Sequence, residues 1–265
     1  MSISANASLA LDRGFDAVDM AALNAKAEML ERIDNKYIVD AEILEGAAGI
    51  LRRHFDILEV EGRRSFSYEN CYFDGPDWQC YFDHHQGRRR RAKVRMRKYV
   101  EAGLCFVEIK LKDKRGVTVK RRLPCESGDF GILDPIARDY VGTAYRDMYL
   151  RDLPYSLGRT LDTRYTRTTL VAKGGGERIT IDGHLTFSAD GCRRSLDERF
   201  YILETKSANG NGLADRILRS FRQHPVKHCS KYCTGMIVMH AGLKHNTFLP
   251  ALRKFGGLFD PAKDS

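Results

Sequence analysis

Arg91, Lys93, Arg95 and Arg97 stand two residues apart in the segment RAKVRMRKYV. Residues two apart share a face in an extended strand, so these four make a row of cations ending at Tyr99, while Ala92, Val94, Met96, Lys98 and Val100 take the other face. The pattern recurs along the chain. Glu108, Lys110 and Lys112 oppose Val107, Ile109 and Leu111, and Thr118, Lys120 and Arg122 oppose Val117, Val119 and Arg121. Arg178, Thr180 and Asp182 oppose Ile179 and Ile181, and Glu204 and Lys206 oppose Leu203 and Thr205. Arginine grips phosphate oxygens in a bidentate fork and lysine acts as a mobile point charge, so the mixture suits a chain of phosphates. The few carboxylates stand singly beside cations, as expected where a metal ion and a phosphate share a site. The plainer reading is a solvated sheet, apolar inward and charged outward. The excess of one sign argues against it, because like charges on adjacent strands repel.

These strands must be placed by the rest of the chain. Period-two segments are expected at 57–61, 65–73, 91–100, 105–112, 117–123, 164–171, 178–182 and 200–206, several of them separated by turn signals such as Asp74-Gly75-Pro76 and Lys114-Arg115-Gly116. Before them, helical spacing predicts one or two helices over 9–29, a short strand over 32–39, and a helix over 41–53 with Asp40 as its N-cap. Further helices are expected at 129–140, 213–223 and 231–243. So many strands at hairpin spacing predict an α+β fold whose antiparallel sheet closes into a β-barrel with a basic lumen, flanked by helices. One domain is expected, with an N-terminal helical segment over 1–30, the barrel over 31–245 and a C-terminal tail over 246–265.

The chain has 265 residues, 44 Lys plus Arg against 35 Asp plus Glu, and a net charge of +9. That length buries a core without disulfides or structural metal, and the surplus charge asks for an anionic partner. The seven cysteines follow no framework spacing and are expected as reduced thiols in a cytoplasmic protein. No secretory signal is visible in Met1 to Phe15, and the longest apolar run, Tyr232 to Leu243, is too short for a membrane span. His224, His228, Cys229 and Cys233 permit a zinc reading on spacing but lack a paired CxxC. Arg88 to Arg91 is either a basic guide at the mouth of the site or a solvated loop, and the loop is the expectation. Tyr37, Tyr72, Phe73 and Tyr232 are expected to pack, as is Trp78 after its turn.

Several short motifs stand in a fixed order: Arg32-Ile-Asp-Asn-Lys36-Tyr37, Cys71-Tyr-Phe-Asp74, Val94-Arg-Met-Arg-Lys-Tyr99, Glu108-Ile-Lys110, Val119-Lys-Arg-Arg122, Tyr165-Thr-Arg167, Arg178-Ile-Thr-Ile-Asp182, Leu203-Glu-Thr-Lys206 and Ser230-Lys-Tyr232. Together they resemble the VTC domain, the polyphosphate polymerase domain of the vacuolar transporter chaperone family within the triphosphate tunnel metalloenzymes, here of a stand-alone bacterial type. The resemblance covers about Glu31 to Met239. It implies transfer of the terminal phosphoryl of ATP to polyphosphate, with Mn2+ or Mg2+. Carried over by position, Lys36, Arg95, Arg97, Lys110, Lys120, Arg167, Arg178 and Lys231 match phosphate-contacting residues, and Glu204 matches a metal-binding carboxylate. Lys206, on the charged face beside Glu204, joins the phosphate set. Two departures stand out: the superfamily's opening ExExK is replaced by Arg32-Ile-Asp34-Asn-Lys36, and a lysine expected three residues before Lys231 is His228, with Lys227 adjacent.

Phosphoryl transfer asks a protein mainly for alignment and charge neutralisation. Arg95, Arg97, Lys120 and Glu204 are the expected catalytic set. Hydrolysis would gain from a base, for which Glu108 and Asp182 are the candidates, although a hydrogen-bonded turn or strand-end role is the expectation for Asp182. A tunnel-type triphosphatase and a non-catalytic polyphosphate or nucleotide binding module are the competing readings. Nucleic acid is not expected as a partner, since the aromatic interleaving of single-strand binders is missing. The sequence names no membrane-protein partner.

Overall fold

The computed structural model describes residues 13–26 and 32–255. Among them the period-two segments build one 11-stranded sheet. The elements follow the chain as β1 (Ala17–Val18), α1 (Met20–Lys26), β2 (Ile33–Asp40), α2 (Ala41–His54), β3 (Phe55–Leu58), β4 (Ser65–Asp74), α3 (Gln79–His85), β5 (Ala92–Tyr99), β6 (Leu104–Lys112), β7 (Thr118–Cys125) and α4 (Pro135–Tyr149). Then come β8 (Gly158–Ala172), β9 (Arg178–Ala189), β10 (Cys192–Ser195), β11 (Phe200–Ser207), α5 (Leu213–Ser220), α6 (Lys231–Met239) and α7 (Leu249–Lys254). Hydrogen-bonded neighbours run β2-β11-β9-β8-β4-β5-β6-β7, every pair on this path antiparallel.

The expected closed barrel is not formed. Among the described residues β2 pairs along the path only with β11 and β7 only with β6, so the two end strands leave an open seam. Hairpin spacing specifies which strands are neighbours, whereas closure also needs a compatible tilt and stagger around the whole circuit, which local sequence does not encode.

Helices cover the apolar face. α4 starts after Asp134, whose side chain accepts from Ala137 N at 2.7 Å, and buries Ala137, Val141, Ala144 and Tyr145 in one core with Val94, Met96, Val107, Ile109 and Leu111. The N-cap and Pro135 explain why this helix begins later than the expected Asp129. On the other half of the sheet α2, capped by Asp40 as expected, packs with α5 over Tyr37, Val39, Ile179, Ile181 and Leu203. α6 is different. Its Gly235 lies so close to Leu161 and Phe187 that an added Cβ would fall 2.5 Å from each. Leu161 alternates with Thr163, Tyr165 and Arg167, so α6 fills one end of the charged face instead of lying outside it.

The expected N-terminal helices over 9–29 reduce, within the described residues, to α1 behind the two-residue β1; residues 1–12 and 27–31 lie outside them. Trp78 packs, as expected, with its ring 4.8 Å from that of His240. Arg88 to Arg90 form an exposed loop. No helix among the described residues is long and apolar enough to cross a membrane.

Candidate active site

Register places the charged residues on one continuous face. Arg122 pairs with Glu108, Glu108 with Arg95, and Arg95 with Tyr72; one row along, Lys120 pairs with Lys110 and Lys110 with Lys93. Across the sheet, Arg167 faces Asp182, Thr180 faces Glu204, Arg178 faces Lys206, and Lys36 and Asp34 on β2 face Glu204 and Lys206. Lys231 joins from the first turn of α6, which Ser230 caps by accepting from Cys233 N. The structure thus brings together all the sequence-predicted residues: Lys36, Arg95, Arg97, Lys110, Lys120, Arg167, Arg178, Glu204, Lys206 and Lys231. The face is a trough, open along the seam.

Three carboxylate centres organise the cations. Glu108 is fully buried; its Oε2 accepts from Arg95 Nε at 2.8 Å and Nη2 at 2.5 Å, Lys120 Nζ pairs with Oε1, and Arg97 Nε stands 4.0 Å from Oε2. Burial alone would raise the pKa of Glu108, but Arg95, Arg97 and Lys120 outweigh it and hold the carboxyl well below the usual range. Asp182 accepts a fork from Arg167, Nε at 2.6 Å and Nη2 at 2.7 Å, and Lys231 Nζ at 2.5 Å. Its pKa is also pushed down, with Arg167 and Lys231 overcoming burial. Glu204 pairs with Lys206 and, at 3.8 Å, with Lys36, while Lys206 Nζ also donates to Asp34 Oδ2 at 3.2 Å. Burial opposes ionisation of Glu204, and Lys36, Lys206 and Arg167 reverse that and lower its pKa strongly.

Glu108 and Asp182 are therefore not bases in waiting. A carboxylate held ionised by two or three cations has little affinity for a proton, and Asp182 lies within β9 instead of at a turn or strand end. The zinc reading also fails: among the described residues no three His, Cys, Asp or Glu side chains come close enough to hold a metal, and Cys229 and Cys233 are buried in the core. His228 is exposed, with its ring edge-on to Phe248 at 6.2 Å, and Lys227 is exposed beside it.

Sequence reasoning missed the polar and aromatic bed. Arg97 donates to Asn70 Oδ1 at 2.9 Å and to the Tyr165 hydroxyl at 3.0 Å, and Arg95 donates to the Tyr72 hydroxyl at 3.2 Å. Arg167 and Lys231 lie over the Tyr165 ring at 5.4 and 4.6 Å, which holds both cations against an electron-rich face. Tyr72 thus does more than pack. Lys93 donates to Ser230 Oγ at 2.9 Å, tying α6 to β5. Asn70, Tyr72 and Tyr68 alternate along β4, and that period-two signal was available in the sequence.

Some donors have no protein partner. Lys110 makes no ion pair among the described residues and reaches water, yet crowding by protein atoms, with Arg95 and Arg97 nearby, pushes its pKa well down. Arg178 Nε and Thr180 Oγ1 are buried without a hydrogen-bond partner on the same face. Unsatisfied donors among surplus cations mark a place for an anion with several oxygens.

The family model described as VTC domain matches residues 31–240. The chain belongs to the VTC domain family. A solved structure similar to this VTC domain is a candidate adenylate cyclase from Bacillus halodurans, 16% identical, with 76% of this chain and 95% of that one covered and a TM-score of 0.51. At that identity the likeness shows the fold alone. A candidate adenylyl cyclase from Hippeastrum, described as having a dominant triphosphatase activity, is 12% identical over 81% of this chain and 99% of that one, with a TM-score of 0.48. No curated protein matches this VTC domain in sequence.

Proposed function

We propose that this VTC domain moves the terminal phosphoryl group of ATP onto a growing polyphosphate chain lying in the cationic trough. The observation that carries this reading is the neutralisation of Glu108, Asp182 and Glu204 by ion pairs. Hydrolysis gains from a group that takes a proton from water. The terminal phosphate of polyphosphate is already ionised and needs none, so these residues favour phosphate as the acceptor.

In this reading Arg95, Arg97 and Lys120 hold the transferring phosphoryl group. Lys36, Arg178 and Lys231 hold the rest of the chain, with Lys110, Arg167 and Lys206 between them. Arg95, Lys120, Arg167, Lys206 and Lys231 are held in place by Glu108, Asp182 and Glu204, so these cations need little reorganisation when charge spreads over the equatorial oxygens. A divalent cation, Mn2+ or Mg2+, fits at one place. The Glu204 and Asp34 side chains, 21% and 35% exposed, sit on adjacent strands and share the Lys206 ammonium, so two carboxylates reach one point where a cation could replace that ammonium. Such ions take one or two carboxylates and complete their shell with phosphate oxygens and water. Glu204, with Asp34, would hold it, and when bound it would neutralise charge on the phosphates.

The test is to incubate the purified protein with ATP and Mn2+ and follow ADP, free phosphate and long-chain polyphosphate. Polyphosphate with ADP is expected. Free phosphate without chains would replace this reading by a triphosphatase; neither product, with triphosphate still raising the melting temperature, would leave a binding module. Glu204→Gln should lower turnover by at least tenfold while triphosphate affinity changes less than threefold, and full turnover would remove Glu204 from the metal role.

A further inference from the structure

We propose that the end of the trough opposite α6 is a nucleobase subsite, in which Phe106, Tyr99 and Arg122 stack against the base of the nucleoside triphosphate. This rests on the reading above, in which a nucleoside triphosphate is the phosphoryl donor. The two ends of the charged face differ. At one, Tyr72, Leu161, Phe187 and Tyr232 are buried together under α6, leaving no room for a base. At the other, Tyr99 and Phe106 are only half-buried.

Their position follows from register. Phe106 is the direct cross-strand partner of Arg97, and Tyr99 is the next residue on that face of β5. A two-residue step along a strand is about 7 Å, so Phe106 flanks the guanidinium assigned to phosphate and Tyr99 sits one step beyond it. A ribose bridges a comparable gap. The rings are already arranged as a corner: Tyr99 meets Phe106 edge-on at 5.9 Å, and Tyr68 tilts against Tyr99 at 5.0 Å while stacking on Tyr165 at 5.4 Å. The exposed Arg122 guanidinium lies over the Phe106 ring at 4.9 Å and makes no ion pair among the described residues. Aromatic rings and a planar guanidinium are the surfaces on which bases stack, and the negative phosphates next door orient the nucleotide with its base outward. Stacking uses the π face common to all bases. The subsite therefore accepts nucleoside triphosphates with little choice among the bases.

The experiment compares ATP with inorganic tripolyphosphate by calorimetry, for the native chain and for Phe106→Leu, which keeps an apolar side chain at that position. The expected result is a loss of about tenfold in ATP affinity with tripolyphosphate unchanged within twofold. Equal loss for both ligands, or no loss for either, overturns the subsite. Native protein binding tripolyphosphate but gaining nothing from the nucleoside also overturns it while sparing the proposed function; binding of neither ligand removes both. A second measurement needs no variant: etheno-ATP fluorescence should be quenched on binding and restored by excess ATP, and unquenched fluorescence of the bound analogue would sink the proposal.

Discussion

Replacing Glu108 by Gln keeps the shape of the most buried ionic cluster and removes its negative charge. Glu108 has three cations within 4.0 Å of its carboxylate and no exposure to water. Each attraction is worth up to about 4 kcal/mol at an effective dielectric of 20, and desolvation returns several of these. Removing one partner from such a cluster costs about 3–5 kcal/mol, because Arg95, Arg97 and Lys120 are left facing one another. For a domain of this size that corresponds to a melting point lower by about 10 °C. Tripolyphosphate supplies the missing negative charge, so its stabilising shift should be larger in Glu108→Gln than in the native chain, while turnover falls because the cations are no longer held in place. The pH dependence has a definite sign. The folded pKa of Glu108 is depressed, so its contribution is complete above the unfolded value of about 4.3 and is lost as pH falls towards the folded one. The native chain should therefore lose more stability than the variant on acidification below that point. Thermal melts with and without tripolyphosphate decide the matter. A variant within about 1 kcal/mol of native stability and shifted equally by the ligand would refute the idea that Glu108 is the internal counter-charge of the cluster.

Binding of a polyanion should take up protons at alkaline pH. Desolvation and cationic neighbours hold the Lys110, Lys120 and Lys93 ammonium groups below the ordinary lysine range, and a bound phosphate would restore it. The apparent calorimetric enthalpy of tripolyphosphate binding should then change with the ionisation enthalpy of the buffer at pH 9; a buffer-independent enthalpy would contradict this. Gly235→Ala should destabilise by about 1–3 kcal/mol in urea unfolding, since the new methyl falls 2.5 Å from both Leu161 and Phe187. By displacing α6 it should also weaken tripolyphosphate binding through Lys231, and an unchanged affinity would separate α6 from the site.

The charged face was legible because the strand period is two: once Arg95 and Arg97 share a face, the faces of Glu108, Lys120, Glu204 and Lys206 follow from the same alternation. What the carboxylates do on that face depends on register instead. Glu108 binds Arg95 because the turn after Tyr99 sets those residues opposite each other, and no count of residues within one strand reveals that. β8 and β9 run longer than alternation predicts for a related reason. A register shift lies between Arg164 and Thr166, and His184 adopts a left-handed backbone at φ 52°, so alternation breaks where the strands continue. α3 escaped notice because its seven residues, QCYFDHH, hold little helical periodicity and follow Trp78, itself left-handed at φ 55°. Closure of the sheet is not legible in the sequence because it depends on the meeting of β2 and β7, whose sequences are about 80 residues apart and carry no signal about each other.

The seam between β2 and β7 changes how a linear polymer could come and go. A closed pipe admits a chain only end first, so a long polyanion would have to be threaded in and drawn out along its whole length, and its exit would slow as it grew. A trough with one free long side lets a middle stretch settle sideways and lift away sideways. Chain length then enters through the number of phosphates in contact and drops out of the path, so release from this face should depend on occupancy and ionic strength and stay indifferent to how much polymer extends beyond either end.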